Sequence, residues 1–337
     1  MPSLGPLAFP LQALSWLGNQ GTRAIVAVLI VAIAVPPLGE LTRPYVTHAI
    51  FLLLCISFMR VDVAMLRAHL RRPLLVVAAT AWTTVAVPAL VGTIARATGV
   101  DAAAPDLHLA LMLQATASPM MASPALAALM GLDATLVLIT LVTSTALVPL
   151  TAPLFACVFL GETLSLSPAA LGLKLAAILA GALATAAAIR LAFGSDAIRR
   201  HRAPIDGFNI LILFVFASAI MAHFLADLAA SPFRMLGLAL LAFAVFFLLL
   251  GTTMLLFRGA GRERAMALGM MVSLRNMGLM LAATEGAIPG TTWLYFAMSQ
   301  FPIHLAPQLL RPVAERLRPR PLPSGGTDHG LISPASE

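Results

Sequence analysis

Arg275 lies in the middle of an apolar run, within the stretch Ser273-Leu274-Arg275-Asn276-Met277-Gly278. A cationic side chain at the centre of a bilayer costs about 2.5 to 3.5 kcal/mol on insertion scales, so something must compensate it. Acidic residues fall mostly at the ends of apolar runs and in loops. Displaced backbone carbonyls, cavity water or an anionic solute are left as partners. Two readings follow: a guanidinium that braces crossing helices through their carbonyls, and one that binds or gates a solute.

A second polar interruption reads Gln114-Ala-Thr-Ala-Ser118-Pro119-Met-Met-Ala-Ser123-Pro124. Its two prolines remove two backbone donors and displace two carbonyls, so a regular helix is not expected there. Backbone groups freed at membrane depth must face protein, water, ion or solute. Matching breaks in two halves of a chain are the usual sequence pointer to a midplane binding site. Ser118, Pro119, Ser123, Arg275, Asn276 and Gly278 are therefore candidate solute-binding residues. Gln300 and His304 are four apart and share one helix face. They are added as candidates for a solute or proton-linked contact, beside the plainer reading of a hydrogen-bonded helix contact. Ser144 and Thr145, with Thr140 a turn earlier, either turn hydroxyls toward the Ser118 break or bond back to their own helix. His108 and His223 are weaker candidates.

The chemistry expected of these residues is binding, not catalysis. The sequence has no phosphate-binding Gly-Lys-Ser/Thr loop, no His-Glu-x-x-His helix and no Gly-x-Ser-x-Gly turn. No catalytic residue and no resident metal is assigned. Cys55 and Cys157 sit far apart in apolar runs and read as core thiols.

The elements that must position these residues follow from composition. Hydrophobic residues make up 60% of the chain and charged residues 10%, with a mean hydropathy of +0.95. Ordinary soluble domains carry about 25% charged residues. Apolar runs predict ten spans, near Ala24–Leu38, Val46–Val63, Pro73–Ala95, Leu107–Met130, Ala134–Leu160, Pro168–Phe193, Ile205–Leu228, Phe233–Phe257, Arg264–Thr284 and Thr291–Leu310. The expected organisation is an N-terminal segment 1–23, a five-helix unit 24–160, a second five-helix unit 161–311 and a tail 312–337, disordered from Pro319 to Glu337.

Loop charge tests this layout independently. Sixteen basic residues fall on the N-terminal side of the predicted spans and four (Arg43, Arg96, Lys174 and Arg234) on the other, with Arg275 inside a span. The positive-inside rule then predicts that both termini are cytoplasmic, in the cell (inner) membrane. The formal charge of +7 belongs to these loops, so no nucleic-acid partner is expected. Met1–Gln20 lacks a positively charged leader, and the first span is expected to serve as the membrane address. Five spans per half would turn the second half over relative to the first, the inverted-repeat plan of many secondary transporters. Weak internal echoes agree, since each polar break is followed by a proline-bearing span, Val148-Pro149 to Pro153 and Gln300-Phe-Pro302 to Pro307.

Three stretches resemble the bile acid:sodium symporter family in its bacterial ten-helix form. Phe51–Asp62 followed by Arg71-Arg72-Pro73 looks like its second span and the entry to its third. Ala117–Ser123, Gly131-Leu-Asp133 and Thr143–Leu150 look like its fourth and fifth, and Leu274–Leu279 like the unwound centre of its ninth. The resemblance implies a panel domain and a core domain, with spans four and nine broken and crossing, and two sodium ions and a small organic anion bound near the crossing. By position, Ser123, Ser144, Thr145 and Asn276 match ion-site positions or lie beside them. The chain departs from the family pattern where Met120-Met121 replace a glycine pair, Pro124 stands near a family Asn, Met271 replaces a Glu and Arg275 replaces a Gln. Exchanging a carboxylate for a fixed cation weakens attraction for sodium, and the guanidinium of Arg275 is a candidate stand-in for a bound sodium ion.

The expected protein is thus an all-α polytopic carrier that moves a small organic, anionic solute by alternating access. Sodium is its candidate coupling ion, and the sequence sets no oligomeric state. Two other readings are an arsenite-type metalloid efflux carrier, against which the cysteine-free break at Ser118–Ser123 counts, and a membrane ligand sensor that transports nothing.

Overall fold

The computed structural model describes residues 8–60, 73–164 and 166–317. Arg67, Arg71, Arg72, Arg318, Arg320, the predicted end of the second span at Val63 and the tail Pro319–Glu337 lie outside the described residues. Thirteen helical segments carry the argument: α1 Ala8–Gln20, α2 Thr22–Ala34, α3 Pro36–Met59, α4 Pro73–Ala97, α5 Pro105–Thr116, α6 Ser123–Leu129, α7 Ala134–Phe159, α8 Pro168–Arg200, α9 Arg202–Ala230, α10 Pro232–Leu256, α11 Arg262–Ser273, α12 Met277–Ala283 and α13 Gly290–Leu317.

Proline supplies many of the starts. Pro36, Pro73, Pro105, Pro168 and Pro232 each open a helix, where a missing N–H leaves nothing unsatisfied. Side-chain caps set others: Asp133 accepts from the Leu136 amide at 3.0 Å and Ser167 from that of Ala170 at 3.2 Å.

Among the described residues six helices, α3, α4, α7, α8, α9 and α10, are long and apolar enough to cross a membrane. Leu74, Leu191 and Phe233, on three of these helices, are each more than four-fifths exposed. Side chains of that kind on the outside of a helical bundle fit a lipid surround and not water. The protein is an all-α, membrane-embedded chain. Two boundaries differ from the sequence expectation. Helix α3 begins at Pro36, ten residues before the predicted Val46, because the Pro36-Pro37 pair restarts a helix as well as ending one. Helix α8 keeps its expected end, because Gly194, at φ +77° and ψ 155°, kinks the chain directly after Phe193 before a second helical stretch continues to Arg200. Finally, the N-terminal segment 1–23, which carries no predicted span, contains α1.

The helices pack in two groups. Helices α2, α3, α8 and α9 lie against one another, with α1 laid antiparallel along α9; α4 to α7 and α10 to α13 form the larger group. Glycines permit the closest approaches. A Cβ on Gly207 would sit 1.9 Å from the Leu14 carbonyl oxygen, and one on Gly18 2.0 Å from that of Ala203. Small residues at such crossings let helix backbones meet where no hydrophobic driving force separates protein from lipid.

Gly207→Leu must push α1 off α9. The expected loss is about 1 to 3 kcal/mol, read as a lower Tm of the purified protein in detergent. Gly237→Leu, at a position on α10 where an added Cβ meets nothing within 4 Å, leaves the Tm unchanged.

Candidate functional site

Two helices in the larger group are interrupted. The chain runs as α5, a break over residues 117–122, then α6; in the second half it runs as α11, a break over 274–276, then α12. The freed backbone groups satisfy one another. The Met120 amide donates to the Leu274 carbonyl and the Asn276 amide to the Ser118 carbonyl, both at 2.7 Å, forming a short antiparallel bridge that pairs Pro119 with Arg275. In this register Pro119 occupies the pair whose own N–H groups point away from the partner strand. A proline is tolerated there because the ladder asks it for no donor.

The Arg275 side chain closes the crossing from the other side. Only 2% of the residue is exposed, and its guanidinium donates to the Ala117 carbonyl at 2.9 Å and to the Thr83 carbonyl at 3.3 and 3.4 Å. Ala117 ends α5, so its carbonyl has left the helical ladder. Thr83 lies in a π-helical turn, Trp82–Ala86, within α4. There the Val87 amide bonds to Trp82 instead of Thr83, and the next residue, Pro88, has no N–H to give. The Thr83 carbonyl is thereby freed, and Arg275 takes it. Arg275 Nε remains without a partner.

Beside the bridge lies a cavity of about 310 Å³. Arg275, Asn276, Gly278, Gln300 and His304 all line it, so the structure brings five of the sequence candidates to one place. Met120 and Met121 form its wall on the break in the first half. Ser57, Asn209, Leu213 and Phe216, from α3 and α9, complete it from the other helix group. The cavity therefore lies on the seam between the groups. Its lining is mostly apolar, and Arg275 and His304 are the only charged or titratable side chains on it among the described residues. The His304 imidazole makes no hydrogen bond to the described residues, Gln300 donates only to the Phe296 carbonyl at 3.3 Å, and Asn276 uses its oxygen to cap the Leu279 amide at 3.3 Å.

The other candidates lie elsewhere. Pro119 is in the bridge itself. Ser118, Ser123 and Ser144 are buried with hydroxyls that find no partner and do not line this cavity. Thr145, equally unpartnered, lines a separate apolar groove with Leu179 and Leu183 of α8. The residues that the resemblance marked for sodium are dispersed: Asn276 lines the central cavity, Thr145 the groove, and Ser123 and Ser144 neither. The Arg275 guanidinium beside Asn276 weakens attraction for a cation there. His108 bonds to the Phe159 carbonyl at 3.0 Å, and His223 pairs with Glu40 at 3.1 Å.

Sequence reasoning missed three contributors. The Thr83 carbonyl could have been suspected from Pro88 inside an apolar span. Asn209 and Ser57 gave no local signal, since packing of α3 and α9 is what carries them to the site. No known family model matches the chain, and no curated protein matches it.

Pro119→Ala and Met120→Ala keep the bridge and should each change stability by less than about 1 kcal/mol. Met120→Pro removes the donor to Leu274 and should cost about 3 kcal/mol. Arg275→Met strands the Thr83 and Ala117 carbonyls at about 1 to 3 kcal/mol each. Thermal unfolding in detergent ranks the four variants, and a Met120→Pro protein as stable as Met120→Ala would remove the bridge from the account.

Proposed function

We propose that the chain is a secondary transporter that moves a small organic anion by alternating access, with the solute held in the cavity beside the crossing. The carrying observation is the bridge itself: two broken helices from opposite halves meet backbone to backbone, and the cavity is lined by both. Broken helices that cross at a cavity are the recurrent way in which transporters build a midplane site.

The same features support ten spans arranged as two inverted five-helix repeats. The broken helices match in length: α5 and α11 have 12 residues each, and α6 and α12 have 7 each. They are not packed alike. Helix α12 lies against α3 and α8 of the smaller group, whereas α6 packs within its own group on α7 and α11, and its Leu126 lines the cavity. Equivalent half-helices, one seated on the facing group and one beside open space, are what a rocking pair of repeats looks like in one of its two end states. On the charge bias of the loops, both termini are cytoplasmic and the membrane is the cell membrane. Panel and core domains of the bile acid:sodium symporter type would correspond to the smaller and larger helix groups.

Two observations bear on the alternatives. Neither Cys55 nor Cys157 lines the central cavity, which disfavours metalloid efflux through thiol contacts. A ligand sensor would use the same cavity but would not exchange solute across a membrane, and no catalytic role is proposed.

Counterflow of labelled organic anions in proteoliposomes is the test. Uptake of a transported anion should stay within about twofold when sodium is replaced by potassium, because the cavity offers a cation no carboxylate. A steep sodium dependence would overturn the sodium-independent mechanism. Saturable binding with no counterflow would select the sensor.

A further inference from the structure

A second cavity, of about 400 Å³, lies at the opposite end of the helix bundle from the mouth of the central one. Arg43, His223 and Asp227 of the smaller group and Arg234 and Trp293 of the larger one line it. The two cavities are nearly continuous. A pinched void of about 10 Å³ between them shares Phe216, Gln300 and His304 with the central cavity and Ile220 with the second. Phe216 and Ile220 line this void, and Phe224 on the second cavity packs against Phe301 with ring centres 6.0 Å apart.

Contacts between the groups gather at this end. The Arg43 guanidinium of the smaller group lies 5.2 Å from the ring centre of Trp293 in the larger. Lys174 on α8 pairs at 2.8 Å with Glu285, which follows α12. Glu285 has φ +53°, the sole positive value at a non-glycine residue among those described. A side chain held in the left-handed region marks a place where the surroundings over-determine the backbone. At the other end, the described ion pairs Arg60–Asp206 and Arg264–Asp133 each stay within one group.

We propose that the second cavity is the closed outer mouth of the transport route, and that Lys174–Glu285 and Arg43–Trp293 are the latches that hold it shut. The inference rests on the transporter reading and adds to it the exit, its plug and its fastening. Both latches are partly exposed contacts of a kind that is individually weak. Weak fastenings suit a mouth that must open in every cycle, because the gap between two working states has to be small.

A reporter cysteine tests this without a solute. Ala217→Cys places a thiol on the pinched void, in a chain carrying Cys55→Ala and Cys157→Ser. A membrane-impermeant maleimide is applied to oriented vesicles from either side. With the latches intact, labelling should be faster from the central-cavity side. Glu285→Gln with Trp293→Ala should raise the rate from the second-cavity side about fivefold, since labelling follows the open population and fivefold corresponds to about 1 kcal/mol. Glu285→Gln alone, the milder change, should give a smaller rise in the same direction. The exchange Lys174→Glu with Glu285→Lys, in the chain with Trp293 intact, should return the rate to its starting value.

A second-cavity-side rate unmoved in all the latch variants overturns the proposal, as does an exchange pair that opens the mouth as far as Glu285→Gln does. The two readings fail separately. Flat labelling with intact counterflow removes the mouth, and responsive labelling without counterflow removes the carrier.

Discussion

Two helices are interrupted inside a structure whose surroundings offer no hydrogen bonds, and the rest of the architecture answers that constraint. Lipid cannot satisfy an amide or a carbonyl, so each group freed by a break must find protein. Here the breaks satisfy each other. Met120 and Asn276 donate across the crossing, Pro119 sits where its missing N–H is not needed, and Arg275 takes the carbonyls that remain. One of those carbonyls is not at the crossing at all. Thr83 is freed by Pro88 in a third helix, so the guanidinium ties α4 to both broken helices at a single point.

That tie explains why the cavity forms on one side of the crossing. On one side the guanidinium ties the Ala117 and Thr83 carbonyls together, while the side bearing Asn276, Gly278 and Met120 faces the smaller helix group across a seam. Gly278 contributes by having no side chain: an added Cβ would touch Ile50 and Phe216 at 3.5 Å. The larger group supplies the crossing and the smaller group the facing wall, so in the proposed transport cycle relative movement of the groups would change access to the cavity while the bridge stays intact.

Much of this was legible in the chain. Pro119 and Pro124 announced the first break because proline removes donors, and Arg275 announced the second because a charge at that depth needs a reason. Helix starts were written in Pro73, Pro168 and Pro232. The failures share a cause. Helix α1 is short and only weakly apolar, and what places it is the surface of α9 at Gly207, remote in sequence. Asn209 and Ser57 are ordinary helical residues whose importance comes from which helix lies opposite. Thr145 faces α8 and not the break, because a hydroxyl's direction around a helix in a long apolar span is set by packing partners and not by spacing from one neighbouring motif.

Two readings of Arg275 were available from sequence, a brace and a ligand for a solute, and the geometry shows that they do not exclude one another. Its hydrogen bonds go to backbone carbonyls, so the guanidinium is fixed at the crossing on the lining of the cavity. A carbonyl neutralises no charge. Among the described residues no carboxylate pairs with the guanidinium, and its field extends through a poorly screening interior to the cavity wall at Asn276. An anion in the cavity would be favoured by that field without touching the arginine. Specific contacts would fall to the amides of Asn209, Asn276 and Gln300 and to the imidazole of His304. Separating the charge from the contacts has a mechanical advantage: the bridge that holds the fold together need not rearrange when a solute binds or leaves.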